Sequence, residues 1–162
     1  REDLRDGDVD VDQLSAEEGS PDAPVIRLLQ TMFHDAVRMR ASDIHIEPGE
    51  SALRIRQRID GMLQEQVLEG RRVAAALVTR LKLMCGLDIA EKRLPQDGRF
   101  TIKVKDATLD VRVSTMPTQH GESVVMRLLD QSANLMTLDR LGMPAAMMER
   151  FLGINFFDFK RL

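Results

Sequence analysis

The stretch LDVRVSTMPTQHGESVVMRLLD, residues 109–130, predicts two β-strands joined by a turn. Apolar and polar side chains alternate on both sides of the turn, which is the period of a strand. Each strand carries an arginine inside an apolar run, Arg112 in the first and Arg127 in the second. Val125 and Leu129 share the face of Arg127, so we expect both faces of this strand to be covered. A guanidinium there needs an anion, because burying it unpaired is very unfavourable.

The sequence leaves two sources open for that anion. One is a carboxylate of the same fold, such as Asp110 on an adjacent strand. The other is a phosphate carried by another domain or subunit, toward which both arginines would point. The planar guanidinium fork suits either partner, because each presents paired oxygen atoms.

The rest of the chain alternates between helical and strand periods. We expect an amphipathic helix over about residues 23–40, and a second helix that follows Gly70 and ends at Gly86. Strands are predicted between and after these helices. Hairpin turns are expected at Asp60–Gly61 and at Lys105–Asp106.

Two further segments complete the predicted order. The stretch DIAEKRLPQDGRF, residues 88–100, is interpreted as an irregular connector with a turn at Asp97–Gly98. A loop follows residue 130, and a last helix starts near Pro144. Hairpin connections dominate this order, which predicts an α+β fold with a largely antiparallel sheet packed against helices.

Charge is distributed unevenly along the 162 residues, whose net charge is -3. Residues 1–20 contain eight acidic side chains and two arginines, a net charge of -6, with few apolar residues. We therefore predict an acidic flexible linker over residues 1–21. Cys85 is the one cysteine, which excludes an internal disulfide and favours a reducing, cytoplasmic setting. Its helical context is typical of a small core residue.

The sequence predicts no catalytic site and no metal site of its own. It contains neither a Walker A pattern nor a Gly-x-Gly-x-x-Gly pattern, so a phosphate-binding glycine loop is excluded from these residues. The three histidines lie far apart. His45 stands near Asp43 and Glu47 on one strand face, an arrangement more typical of a solvated polar face than of a metal site.

Arg54, Arg56 and Arg58 share one face of a predicted strand. One interpretation is a solvated basic face paired with neighbouring acids such as Glu65 on the next strand. The other is an interface for an acidic partner or for phosphates. The sequence has no Tyr and no Trp, which disfavours single-stranded nucleic acid as that partner, because bases normally stack on aromatic rings.

Several motifs in this order and spacing resemble one known family, the GspE/PilB secretion ATPases of type II secretion and type IV pilus assembly. The sequence is most similar to the MshE-like branch, which serves the mannose-sensitive-haemagglutinin (MSHA) pilus. The resemblance covers about residues 22–150. The motifs that carry it are ASDIHIEP (41–48), LRIRQRIDG (53–61), AEKRLPQDGRF (90–100), LDVRVSTMPTQHGESVVMRLLD (109–130) and LDRLGM (138–143).

The resemblance implies a domain organisation. Residues 22–142 would form a PAS-like domain that precedes a RecA-like ATPase core. Residues 143–162 would be a linker helix toward that core with an atypical tail, in which Phe156, Phe157 and Phe159 are unusual surface residues. The Walker A and B motifs belong to the core, so these residues alone would be inactive. The full-length parent would be a hexamer that binds ATP and Mg²⁺.

The resemblance also implies a site and partners. Related enzymes reach the bound nucleotide with two arginines of this domain, which DVRVSTMP places at Arg112 and VVMRLL at Arg127. The partners would be the protein's own core, neighbouring subunits of a homo-hexamer and inner-membrane platform proteins, with a cytoplasmic location at that membrane and no nucleic acid. The alternative is an interaction module that docks an acidic partner through Arg54, Arg56 and Arg58, without a role for nucleotide.

Overall fold

A computed structural model describes residues 8–14, 23–69, 71–130 and 142–152. The chain divides into two compact units, residues 1–132 and 133–162. The first unit holds a seven-stranded sheet, a short 3-10 turn (Val11–Gln13) and two α-helices, and the second holds one described helix. The elements are β1 (Asp8–Asp10), α1 (Ala23–Met39), β2 (Asp43–Pro48), β3 (Ala52–Ile59), β4 (Met62–Glu69), α2 (Arg71–Met84), β5 (Gln96–Val104), β6 (Ala107–Thr118), β7 (Gly121–Asp130) and α3 (Ala145–Leu152).

The sheet consists of two antiparallel meanders joined edge to edge. Its strand order is β1-β5-β6-β7-β2-β3-β4, so β7 and β2 meet in the middle. Every described pair is antiparallel except β1 with β5, which is parallel. These strands and helices confirm the predicted α+β class with a largely antiparallel sheet. The PAS-like description and the domain bounds 22–142 stay predictions.

Helices α1 and α2 form a common core with one face of the sheet. The apolar stripe of α1 is buried, and the Phe33 ring meets Phe100 of β5 edge-on, with the ring centroids 6.1 Å apart. Helix α2 ends as predicted: Gly86 has a φ of +65°, and the amide of Leu87 donates to the carbonyl of Lys82 at 2.9 Å. This is the hydrogen-bonding pattern of a glycine-terminated helix.

The predicted hairpin turns are confirmed. Asp60 and Gly61 both have positive φ angles, +49° and +80°, which match the twist of the strands that they join. Lys105 has a φ of +54° in the β5–β6 turn. The turn predicted at Asp97–Gly98 is wrong, because both residues lie in β5.

Gly98 has a packing role within that strand. A Cβ atom there would lie 2.8 Å from the Cβ of Cys85 and 3.0 Å from a methyl group of Leu87. Those distances are too short for van der Waals contact. Strand β5 therefore lies directly against the end of α2 because residue 98 has no side chain.

The structure describes residues 8–14 of the linker predicted over residues 1–21. Residues 8–14 form β1 and the 3-10 turn, and both Val11 and Leu14 are buried in the core. The side-chain amide of Gln30 donates to the backbone carbonyls of both residues at 3.1 Å. The prediction of flexibility is wrong for residues 8–14. The pairing of β1 with β5, the burial of Val11 and Leu14 and the hydrogen bonds from Gln30 attach the segment to β5 and α1.

The second unit contains the predicted last helix. α3 spans Ala145–Leu152 and begins directly after Pro144, a position that suits proline because its missing N–H is not needed there. The aromatic tail with Phe156, Phe157 and Phe159 lies outside the described residues. That this helix links to an ATPase core stays a prediction.

A buried ion pair ties α2 to the start of β7. The Lys82 side chain is 1% exposed, and its Nζ lies 2.5 Å from Oε1 of Glu122, whose side chain is 9% exposed. The same Nζ donates to the backbone carbonyl of Glu91 at 2.6 Å. Because both charges are out of water, each depends on the other for compensation.

Replacing one member of this pair is expected to destabilise the chain strongly. Lys82→Met should lower the free energy of unfolding by about 3–5 kcal/mol, because it leaves a buried carboxylate uncompensated. The double variant Lys82→Met/Glu122→Gln should recover part of that loss. Urea denaturation measures both. Lys103→Met, at an exposed lysine of β5, is the control and should change stability by less than about 0.5 kcal/mol. A Lys82→Met variant as stable as this control would contradict the expectation.

Candidate functional site

The two faces of the sheet differ in chemistry. The inner face, which contacts α1 and α2, is apolar and includes the buried side chains of Val111, Val113 and Val124. Along each strand, the residues between these belong to the outer face. That face carries charged side chains, including the exposed Arg112 and Arg127. Both sequence-predicted arginines therefore lie on the outer face.

The expectation that β7 is covered on both faces is wrong. The side chain of Arg127 is 70% exposed, and its neighbours Val125 and Leu129 are 38% and 40% exposed. Apolar residues on an exposed face are common, so alternation alone did not distinguish a covered face from an open one. Because the Arg127 side chain is largely exposed, burial does not require it to pair with an anion.

A row of charged residues crosses the outer face at right angles to the strands. In register, Arg99 of β5 is opposite Arg112 of β6, which is opposite Arg127 of β7. Arg127 is in turn opposite Asp43 of β2, and Asp43 is opposite Arg58 of β3. We call the first three residues the arginine row. Like charges directly opposite each other destabilise a sheet, so the row is not explained by strand pairing.

Asp43 neutralises one end of the arginine row. Its side chain is 14% exposed; Oδ1 lies 3.3 Å from Nε of Arg127, and Oδ2 lies 3.4 Å from Nε of Arg58. Oδ2 also accepts a hydrogen bond of 2.8 Å from the Ser42 hydroxyl. Burial raises the pKa of Asp43, but the hydrogen bonds from Ser42 and Arg127 and the charges of Arg127 and Arg58 outweigh it, so the net pKa lies below 3.8.

The predicted internal ion pair of Arg127 exists, but its partner is Asp43 rather than Asp110. Asp43 precedes Arg127 by 84 residues and reaches it only because β2 pairs with β7. Asp110 is opposite Leu129, two residues along the strands from that row. The described contact uses Nε of Arg127, and the side chain as a whole stays largely exposed.

Arg112 and Arg99 have no such partner within the described parts of the chain. Both side chains are exposed, and neither makes a side-chain hydrogen bond or an ion pair to another described residue. Their donor groups are free to bind an external anion. Sequence reasoning missed Arg99, because the residue was placed at the end of an irregular connector, directly after an expected turn.

The three arginines of β3 are matched with acids. This confirms the interpretation of an ion-paired, partly solvated face, including the predicted partner Glu65. Arg54 and Arg56 each have a carboxylate of their own, and Arg58 shares Asp43 with Arg127. The pairs are Arg54 with Glu65 (3.2 Å), Arg56 with Glu47, and Arg58 with Asp43 (3.4 Å).

The donor set of the outer face fits a polyphosphate but not a metal ion. Exposed guanidinium groups bind phosphate oxygens, whereas Mg²⁺ requires oxygen ligands. Within the described ranges no three His, Cys, Asp or Glu residues are grouped to hold a metal, and Asp43 and Glu47 beside His45 are engaged by arginines.

Burial raises the pKa of the Cys85 thiol to about 11, as suits a core residue.

None of the described helices has both the length and the apolar composition that crossing a bilayer requires.

Comparison with known proteins identifies the family. The family model described as "Type II/IV secretion system protein" matches residues 18–155. The chain is 52% identical over 128 residues to "Type II secretion system ATPase E" of Vibrio cholerae, covering 79% of this chain and 25% of that protein. It is also 52% identical over 132 residues to "Type II secretion system protein HxcR" of Pseudomonas aeruginosa, covering 82% and 28%. The chain thus spans about a quarter of the length of these relatives.

A solved structure with a lower similarity is the Legionella pneumophila ATPase DotB. It shares 15% sequence identity and a TM-score of 0.44, covering 77% of this chain and 34% of that one. Similarity at that level carries no argument about the site, and the MshE-like branch stays a prediction. The family model and the two relatives suffice: the chain belongs to the type II/IV secretion system protein family, which confirms the predicted relationship to the GspE-type secretion ATPases.

Proposed function

We propose that this chain is the domain that precedes the ATPase core of a secretion ATPase, and that Arg112 and Arg127 contact the phosphates of ATP held by that core. The observation that carries the proposal is the arginine row on an exposed sheet face, where Arg112 has no described acidic partner. The parent would power type II secretion or MSHA-like pilus assembly. The relatives, which are type II secretion proteins, favour the first.

The geometry suits contact with consecutive phosphate groups. Adjacent strands lie about 4.8 Å apart, so opposite side chains extend side by side toward the same surface. Each guanidinium can donate two parallel hydrogen bonds to one pair of oxygens. When bound, ATP with Mg²⁺ supplies the anion and the bond to be hydrolysed. Arg112 and Arg127 would hold that anion and offset the negative charge that develops on it.

Asp43 gives Arg127 a defined starting position. Its carboxylate accepts a hydrogen bond from Nε, while most of the Arg127 side chain remains exposed and its two other nitrogens make no described contact. A side chain that is already oriented loses less conformational entropy when it binds. Asp43 would therefore position Arg127 rather than compete with the phosphate.

An exposed site of this kind is completed only when another surface approaches it. Met116, Val125 and Leu129 are exposed apolar side chains on the same outer face, and they would pack against the approaching ATPase core. Closure of the core onto this face would bring the arginines to the nucleotide, and opening would withdraw them. We therefore propose that the domain moves relative to the core.

The wider setting follows from the same proposal. The protein would act as a homo-hexamer in the cytoplasm, peripheral at the inner membrane and attached to platform proteins of the secretion machine. The alternative of a docking module gains no support from the ion-paired Arg54, Arg56 and Arg58.

In the full-length ATPase, Arg112→Ala and Arg127→Ala should each lower kcat by at least about 100-fold, because each removes a charge that stabilises the transition state. The measurement is steady-state phosphate release, with hexamer mass checked by light scattering. Arg54→Ala, on the same face but paired with Glu65, is the control and should stay within about twofold of wild type.

Unchanged turnover in both variants, with intact hexamers, would contradict the proposal. Loss of secretion in Arg54→Ala, with turnover retained in all three variants, would instead support the docking alternative.

The isolated 162-residue chain should not release phosphate from ATP, because its sequence contains no phosphate-binding loop. A colorimetric phosphate assay on the purified chain checks this. Phosphate release above the buffer blank that persists through successive purification steps would contradict it.

Asp43→Asn should lower the free energy of unfolding at pH 7, because the carboxylate is stabilised by two arginines and Ser42. The pKa of Asp43 is lowered on folding, so its stabilising contribution is present above the unfolded value of 3.8 and is lost as pH falls through the folded value. Urea denaturation from pH 7 to pH 2.5 should show the difference from wild type shrinking below about pH 4. Asp106→Asn, in the exposed β5–β6 turn, should show no such difference. A difference constant across that range would rule out this role for the charge.

A further inference from the structure

We infer that Arg99 is a third phosphate-contacting residue of the same site, which extends the predicted pair to a row of three guanidinium groups facing one polyphosphate. This inference rests on the proposed function. It adds a residue for which the sequence predicted no role.

The first evidence for this contact is the register and the exposure of Arg99. Arg99 is directly opposite Arg112 on the outer face, as Arg112 is opposite Arg127. Three consecutive strands place the three side chains over a span of about 10 Å, along which successive phosphate groups can lie. Arg99 is exposed and makes no ion pair or side-chain hydrogen bond to another described residue.

The backbone on both sides of Arg99 is held in place by packing. Gly98 lies in contact distance of Cys85 and Leu87, where no side chain fits. Phe100 is buried and meets the Phe33 ring of α1. Both neighbours of Arg99 are therefore packed against the helices, so Arg99 is held toward the outer face on a rigid strand. Binding groups on rigid elements are positioned more accurately than groups on loops.

The charges beside Arg99 are the third line of evidence. Asp43 balances Arg127 at one end of the row, whereas the Arg99–Arg112 pair has no described carboxylate between its members. Asp97 and Asp110 lie diagonally beside this pair, but neither makes a described ion pair with it: Asp97, opposite Ser114, accepts a hydrogen bond of 2.5 Å from that residue, and Asp110 is opposite Thr101. A polyphosphate lying across Arg99 and Arg112 would remove the repulsion between them.

The test measures nucleotide affinity in the full-length ATPase by titration with a fluorescent, non-hydrolysable ATP analogue. Arg99→Ala should weaken binding by about tenfold or more, because it removes charge-assisted hydrogen bonds. Arg99→Lys should restore part of the affinity, since it keeps the charge without the fork. Lys103→Ala, an exposed cation two positions along the same face of β5, is the control and should stay within about twofold.

A second readout separates binding from folding. In urea denaturation of the 162-residue chain, Arg99→Ala should unfold at the same midpoint as wild type or a higher one, because one repulsive pair is removed. A lower midpoint together with weaker binding would mean that Arg99 has a structural role, and the inference would be overturned.

The remaining outcomes distinguish the inference from the proposed function. If Arg112→Ala and Arg127→Ala weaken binding while Arg99→Ala behaves like Lys103→Ala, the third contact does not exist and the proposed function stands. If all three alanine variants of the row bind the analogue like wild type, both fail.

Discussion

The proposed site depends on one constraint. Three guanidinium groups are held side by side on the outer face of the sheet, and no described carboxylate lies between them. Strand pairing disfavours that arrangement. What enforces it is the opposite face, because a shift of one residue in register would move Val111, Val124 and Met126 out of the core. The apolar core therefore fixes the positions of charges with which it has no contact.

Throughout the first unit, the inner face of the sheet provides the packing and the outer face carries the charged residues. Both described helices of this unit lie on the inner face, whereas the outer face carries the exposed arginines among its described residues. Lys82 and Glu122 tie α2 to the start of β7, and Gly98 allows the end of α2 to lie against β5. These contacts orient the strands that carry the arginines. Arg127 alone is also held from its own face, by Asp43.

Local periodicity was enough to predict the helices, the hairpins and the fold class, because each depends on residues close in sequence. Non-local features were missed. Asp43 lies 84 residues before Arg127, and no local pattern gives the pairing of β2 with β7. Arg99 was missed because Asp-Gly is typical of turns, whereas here Gly98 is extended and packed. The proposed roles of Arg112 and Arg127 rest on family resemblance, since the expectation of burial was wrong for an exposed face.

The most direct measurement is a structure of the full-length ATPase with a non-hydrolysable ATP analogue. The account predicts that the guanidinium nitrogens of Arg112 and Arg127 lie about 2.7–2.9 Å from phosphate oxygens, with Arg127 still in contact with Asp43. A nucleotide-bound structure in every subunit of which the outer face points to solvent, with Arg112 unpaired and remote from phosphate, would contradict it.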